Sequence, residues 1–341
     1  CMTHPLIQGT IGILGGGQLG RMLAVAASRL GLQSHIYDPA EGAPAAQVAG
    51  FATVAGYDDI VSLRTFARSV DVVTYEFENV PTAALDAIEA LCPIRPGREA
   101  LRVSQDRLIE KTFLRELGLS TAPFAAVDDA ASLGTALAEI GTPAILKTRR
   151  FGYDGKGQVW LSGPDDFDAA LGAMRGAPSI LEGVVLFSSE ISVIAARGAD
   201  GGVAAYDPGT NVHHDGILRT TTVPAALPSR VRTDAVLLAG RILNALDCVG
   251  VMGVELFVTD RGLLVNEIAP RVHNSGHWTQ NGCTVDQFEQ HIRAIAGWPL
   301  GDAARHADVV MENLIGDDMD RLPDLMADPR AALHLYGKAE V

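Results

Sequence analysis

Cysteine is scarce and badly spaced for chemistry. The four in 341 residues, at positions 1, 92, 248 and 283, form no CxxC pair, which excludes the usual zinc spacings and gives no disulfide framework. No apolar run approaches the roughly 18 residues of a membrane span, and residues 1–10 lack the pattern of a secretory signal. Internal repeats and low-complexity tracts are absent too. Positive charge is in short supply: 27 Lys and Arg stand against 41 Asp and Glu, a net charge of −14. Such a surface repels a phosphate backbone, so nucleic-acid binding is disfavoured. A phosphorylated small molecule would have to be met by locally gathered Lys, Arg and backbone N–H groups. The expected setting is reduced and cytoplasmic, without membrane partners. Cys1, ahead of Met2, reads as an added residue and is set aside.

What is present is a globular composition, 48% hydrophobic and 20% charged, on a chain long enough for two or three domains at about 150 residues each. The first hundred residues alternate strand and helix. Residues 10–14 read as an apolar strand, followed by Gly15-Gly16-Gly17-Gln18-Leu19-Gly20 and an apolar helix to residue 30 that Gly31 stops. Strands follow at 34–37 and 70–75, the latter running into Glu76-Phe77-Glu78-Asn79-Val80-Pro81. This pattern predicts a parallel sheet with right-handed crossovers. Residues 93–97 form a natural boundary. Ser104 is placed to cap a helix over 105–117, ended by Gly118. An α+β stretch then has strands at 144–147, 159–161 and 179–182 and a helix at 164–174. A larger antiparallel block covers 188–269 with a helix near 234–246, a helix spans 285–296, and residues 311–314 start a short C-terminal module.

Two apolar strands, 251–258 and 263–268, each carry one carboxylate. With a three-residue loop Asp260-Arg261-Gly262 and Gly262 left-handed, Glu255 faces Glu267 directly. Like charges opposite one another destabilise a sheet, and a carboxylate is rarely buried without a partner. A divalent cation between them removes both objections, and hard oxygen ligands suit magnesium. Two solvent-facing carboxylates on an open sheet face would also fit. A two-residue loop would instead put Asn266 opposite Glu255.

Two glycine-rich segments suit phosphate. Gly15-x-Gly17-x-x-Gly20 lies between strand and helix, with Asp38 18 residues after Gly20, as in a dinucleotide fingerprint. An NAD enzyme is therefore the rival reading, although glycines at a helix N-terminus suit any phosphate. The second segment follows Lys147: Gly152-Tyr153-Asp154-Gly155-Lys156-Gly157-Gln158, with Arg149 and Arg150 nearby. It predicts a flap closing over a triphosphate, against the plainer alternative of a solvated hairpin tip.

These residues in this order resemble the ATP-grasp superfamily. The run Glu267-Ile268-Ala269-Pro270-Arg271-Val272-His273-Asn274-Ser275-Gly276-His277-Trp278-Thr279 is similar to the signature of the N5-carboxyaminoimidazole ribonucleotide synthetase family. Segments 15–22, 75–81, 152–158 and 211–220 match it as well. The resemblance implies a mixed α/β and α+β ATP-grasp fold: an N-terminal parallel α/β domain (10–103), two ATP-gripping lobes (104–186 and 187–300) and a small, incomplete C-terminal module (301–341). It implies ATP, Mg2+ and bicarbonate acting on aminoimidazole ribonucleotide through carboxyphosphate, in a homodimer. For ATP it implies Arg107, Lys147, the flap Gly152, Tyr153, Asp154, Gly155, Lys156, Gly157 and Gln158, a hinge Glu182, Gly183, Val184 and Val185 reading adenine through its backbone, Glu190 on the ribose, and His213. Glu255 and Glu267 would bind the metal, with Asn266 assisting. Gly17, Gln18 and Leu19 would hold the substrate phosphate, and Glu76 and Asn79 its ribose or base, with Tyr153 and Asp154 reaching from the flap. Arg271, His273 and Asn274 would orient bicarbonate and amine, Arg271 stabilising carboxyphosphate and His273 serving as a proton acceptor. Lys338 would join them, ahead of a basic segment that the family carries and that this sequence, ending at Val341, does not contain.

Overall fold

The computed structural model describes residues 5–152 and 157–338. The first unit runs β1 (Thr10–Leu14), α1 (Gln18–Arg29), β2 (Gln33–Asp38), β3 (Phe51–Val54), α2 (Ile60–Arg68), β4 (Val72–Tyr75) and α3 (Thr82–Glu89). Its four strands are parallel in the order β3-β2-β1-β4. Alternating apolar strands and helices thus wind as expected, with one addition. The β3–α2 unit carries a strand whose Phe51 and Val54 are exposed at the sheet edge, so it lacks the buried run that would advertise it.

The helix expected over 105–117 is found at 107–116, and a further helix precedes it. α4 (Arg98–Ser104) ends at Ser104, and α5 (Arg107–Glu116) starts anew after Asp106, whose side chain accepts from the Leu108 and Ile109 N–H groups. Asp106, not Ser104, therefore caps the functional helix. β5 (Phe124–Val127), α6 (Ala130–Ile140), β6 (Ala144–Thr148), β7 (Gln158–Leu161), α7 (Phe167–Met174) and β8 (Ser179–Gly183) make a small antiparallel sheet of order β5-β8-β6-β7.

The large sheet contains β9 (Ser189–Arg197), β10 (Val203–Ala205), β11 (Gly209–His214), β12 (Ile217–Val223), β13 (Gly250–Thr259), β14 (Gly262–Ala269) and β15 (Val309–Glu312), with α8 (Ser229–Ala245) inserted. Its order is β14-β13-β9-β11-β12-β15, with β10 on β9. β15 was expected to open a separate C-terminal module; it pairs instead with β12. After α9 (Thr279–Gly282), α10 (Gln287–Ile295) is buried along almost its whole length and binds the two main units together. Ile11, Leu23, Ile194, Val251, Phe288 and Ile292 share one core. Inside it His291 meets the Thr74 hydroxyl at 2.7 Å and accepts the Val251 N–H at 3.0 Å. Burial pushes His291 down to about 3, so a neutral imidazole ties β4 to β13. This rigid joint faces the carboxyl end of the parallel sheet toward the large sheet.

Candidate active site

A cleft of 1440 Å³ lies between these faces, lined by Gln18, Leu19, Asn79, Arg107, Lys147, Glu190, His213, Glu255, Asn266, Glu267, Arg271, His273, Asn274 and Lys338 among others. One cleft thus gathers expected nucleotide, metal and substrate groups from segments up to 320 residues apart, since Gln18 and Lys338 both line it.

The β13–β14 hairpin reaches the expected pairing by an unexpected route. Its loop has two residues, Asp260 and Arg261, between the paired Thr259 and Gly262, and Leu256 lies opposite Val265. Continued regularly, that register would set Asn266 against Glu255. Instead the register shifts after Leu256 and Glu255 pairs with Glu267. Asn266 is therefore the extra residue of a β-bulge, and the expected three-residue loop is corrected. The bulge matters because successive side chains of a regular strand point to opposite faces. With it, Asn266 and Glu267 both line the cleft beside Glu255.

The two carboxylates live in different fields. Glu267 lies 3.3 Å from Arg107; although desolvation opposes it, Arg107 and then Lys147 hold it below the usual carboxylate range. Burial first, then the charge of Glu267, pushes Glu255 up to about 8. Its nearest polar neighbours are Asn266 Nδ2 and His273 Nε2, each at 3.5 Å. A carboxylate pair with an unmet need for positive charge on one member fits a divalent cation. Among the described residues there is no cluster of three or more His, Cys, Asp or Glu side chains arranged for a metal. A pH consequence follows. A carboxyl raised from 4.5 to about 8 contributes stability at low pH and loses it as pH rises across that window. In chelator, the melting temperature should fall between pH 5 and 8 more steeply for the parent protein than for Glu255→Gln; equal slopes in a thermal-shift series would refute this.

His273 is held through its Nδ1. The Ser275 N–H donates to its Nδ1 at 3.3 Å and the Ser275 hydroxyl lies 2.8 Å away, leaving the ring proton on Nε2, toward Glu255. Burial and then Arg271 push the imidazole down to about 3, and its Nε2 lies 3.5 Å from Glu255. Its approach depends on Gly253, where an added Cβ would stand 2.8 Å from the Cβ of His273. Gln287 sets the next histidine: it accepts the His273 N–H, donates to the His273 carbonyl, and so offers its NH2 to His277 Nδ1 at 3.1 Å. The proton of His277 then sits on Nε2, which is buried and has no partner among the described residues, as is true of Asn274 Oδ1.

Arg271 lies 2.7 Å from Glu78, a cleft residue to which no role was assigned from sequence. Lys147 reaches Glu182 at 3.0 Å, and Lys111 stands 3.6 Å from the same oxygen. Although buried, Glu182 is held below its ordinary value by Lys111 and Lys147. Glu182 was expected to act through its backbone only; its side chain is a counter-ion of Lys147. The Gly183 and Val184 N–H groups go to Pro123 and Pro143, and 182–185 are not among the described residues lining the cleft. Glu190 and His213 meet at 2.5 Å, and this contact raises the His213 pKa. Arg107 donates to the Gly152 carbonyl at 3.2 Å, and Gln158 pairs with Lys147 across β6 and β7. Gly152, Gly157 and Gln158 thus sit at the roots of the flap, whereas Tyr153, Asp154, Gly155 and Lys156 lie outside the described residues.

The glycine turn also departs from expectation. The Gly16 N–H goes to Asp38 at 2.7 Å, and Glu76 takes the N–H groups of Gly17 and Gly20. Glu76 is thus turned into the turn rather than toward a ribose or base, and Gly17 has no free N–H for a phosphate. Gln18, Leu19 and Asn79 line the cleft. Lys338 reaches it because Gln47 holds the Gly337 carbonyl at 3.1 Å.

Residues 112–288 match the family model described as ATP-grasp domain, and residues 8–105 the ribonucleotide synthetase preATP-grasp domain. The chain is 55% identical over 334 residues to an N5-carboxyaminoimidazole ribonucleotide synthase of Brucella melitensis, covering 97% of this chain and 92% of that one. It is 44% identical to a Pseudomonas aeruginosa protein of the same name, over 96% of this chain and 90% of the relative. Among solved structures, one from Aspergillus clavatus in complex with ADP and 5-aminoimidazole ribonucleotide superposes with a TM-score of 0.92 at 31% identity, over 98% of this chain and 90% of that one.

Proposed function

This chain belongs to the N5-carboxyaminoimidazole ribonucleotide synthase family of ATP-grasp enzymes, and from that premise we propose how its residues divide the work of carboxylating aminoimidazole ribonucleotide at the expense of ATP. The observation that carries the proposal is the bulged hairpin, which sets Glu255 and Glu267 against each other in the cleft that Arg107, Lys147 and Arg271 also enter.

Lys147 and Arg107 would hold the ATP phosphates, with Glu190 and His213 beside the nucleotide and Gly152, Gly157 and Gln158 near them. Glu255 and Glu267, with Asn266 beside them, would hold magnesium, which when bound would neutralise charge on the transferring phosphoryl group. Bicarbonate is a poor electrophile until phosphorylated; its oxygen takes the γ-phosphoryl group, releasing ADP and leaving carboxyphosphate. Arg271 presents a planar fork suited to that oxyanion, and Asn274 offers a buried carbonyl oxygen that has no partner among the described residues. The exocyclic amine attacks the activated carbon, phosphate departs, and the amine loses a proton. His273 steadies Glu255 rather than taking that proton. Gln18, Leu19 and Asn79 receive the ribonucleotide, and Lys338 adds charge at the rim. The units 10–103, 104–186 and 187–300 are the corresponding domains, the last extended by Val309–Glu312, and they work as a cytoplasmic homodimer.

The test is ADP release by the purified protein with aminoimidazole ribonucleotide plus bicarbonate. Turnover that needs all three substrates supports the reading. Turnover with formate, or a requirement for NAD, would sink it.

A further inference from the structure

Two consecutive charged residues of α5 are buried, Glu110 at 3% and Lys111 at 2% exposure. Neighbours in sequence on a helix do not face one another, so they are not a simple ion pair. Each is aimed at the backbone of β14. Lys111 Nζ donates to the Asn266 carbonyl at 2.9 Å, and Glu110 Oε1 accepts the Ile268 N–H at 2.6 Å. The two contacts grip the strand on either side of Glu267, across the segment where the bulge lies. Buried charge is costly, and packing alone would be served as well by leucine.

We propose that Glu110 and Lys111 are positioning residues that clamp the bulge, keeping Glu267 rather than Asn266 opposite Glu255. This rests on the reading of those carboxylates as a magnesium site. Without the clamp, the regular register set at Leu256–Val265 runs on, Asn266 moves opposite Glu255, and Glu267 turns to the other face. The expected consequence is a loss of metal response, not of nucleotide recognition in general.

The test uses the full chain, with ADP titrated calorimetrically in magnesium and in chelator, and exchange of the Ile268 amide followed in parallel. Lys111→Met and Glu110→Leu should lose about 10- to 100-fold of the magnesium-dependent gain in ADP affinity, as removal of groups supporting metal ligands does. Glu110→Leu should also speed exchange of the Ile268 amide. Glu110→Gln, which keeps an acceptor for that N–H, should restore both. Because Lys111 also stands 3.6 Å from Glu182, Glu110→Leu is the deciding variant. An intact magnesium gain in Glu110→Leu, or a loss in Glu110→Gln equal to that in Glu110→Leu, overturns the clamp. Variants that lose the fold altogether would overturn it too, by making the pair a core element only. If the parent protein shows no magnesium-dependent gain, the metal reading itself fails.

Discussion

Glu267→Gln will leave the fold intact and abolish turnover, lowering kcat at least about a thousandfold, the scale of losing several kcal/mol of metal-borne charge stabilisation. The substitution changes one oxygen to an amide nitrogen in a side chain that sits in an open cleft against Arg107. Packing should therefore be nearly unaffected. What changes is the charge: the residue that Arg107 and Lys147 keep ionised becomes neutral, and Glu255, already reluctant to ionise, is left as the sole carboxylate. Steady-state ADP release checks this, with circular dichroism to confirm the fold. Activity within tenfold of the parent protein, about 1.4 kcal/mol, would remove Glu267 from the metal site.

Arg271→Lys should lower kcat by about 10²- to 10³-fold, the usual effect of removing one donor from an oxyanion site. Lysine keeps the charge but not the planar fork, and it cannot reproduce both the contact with Glu78 at 2.7 Å and the bond to the Val272 carbonyl at 3.0 Å. A carboxyphosphate less well held should be lost to water more often, so the variant should form more ADP than carboxylated product. Measuring both products decides the matter. A change confined to KM for aminoimidazole ribonucleotide, with ADP and product still equal, would make Arg271 a binding residue and not a stabiliser of the intermediate.

Much of the site was readable because it consists of local chemistry. The strand at Thr10–Leu14, the carboxylates on the apolar strands 251–258 and 263–268, and the run from Glu267 to Thr279 all declare themselves within a dozen residues. Charged residues interrupting apolar strands are conspicuous whatever they pack against. Lys111 gave no such signal, since a lysine in a helix with polar neighbours normally lies in water. Glu78 was in plain view beside Glu76 and Asn79, yet nothing local distinguishes the glutamate that meets Arg271 from the one that caps a turn.

The sequence alone determined which chemical groups are available and the family to which their order points, because motif, charge and strand pattern are properties of short stretches. It also determined that Glu255 and Glu267 ride on neighbouring strands. Only the tertiary structure decided how they meet. The loop is one residue shorter than expected, and a bulge at Asn266 restores the pairing. That bulge is braced by Glu110 and Lys111 from a helix more than 150 residues earlier. Likewise Glu76 is drawn into the glycine turn 56 residues before it, and His273 is stripped of basicity by burial. Register, counter-ion and protonation depend on what packs across space, and a linear pattern carries no term for that.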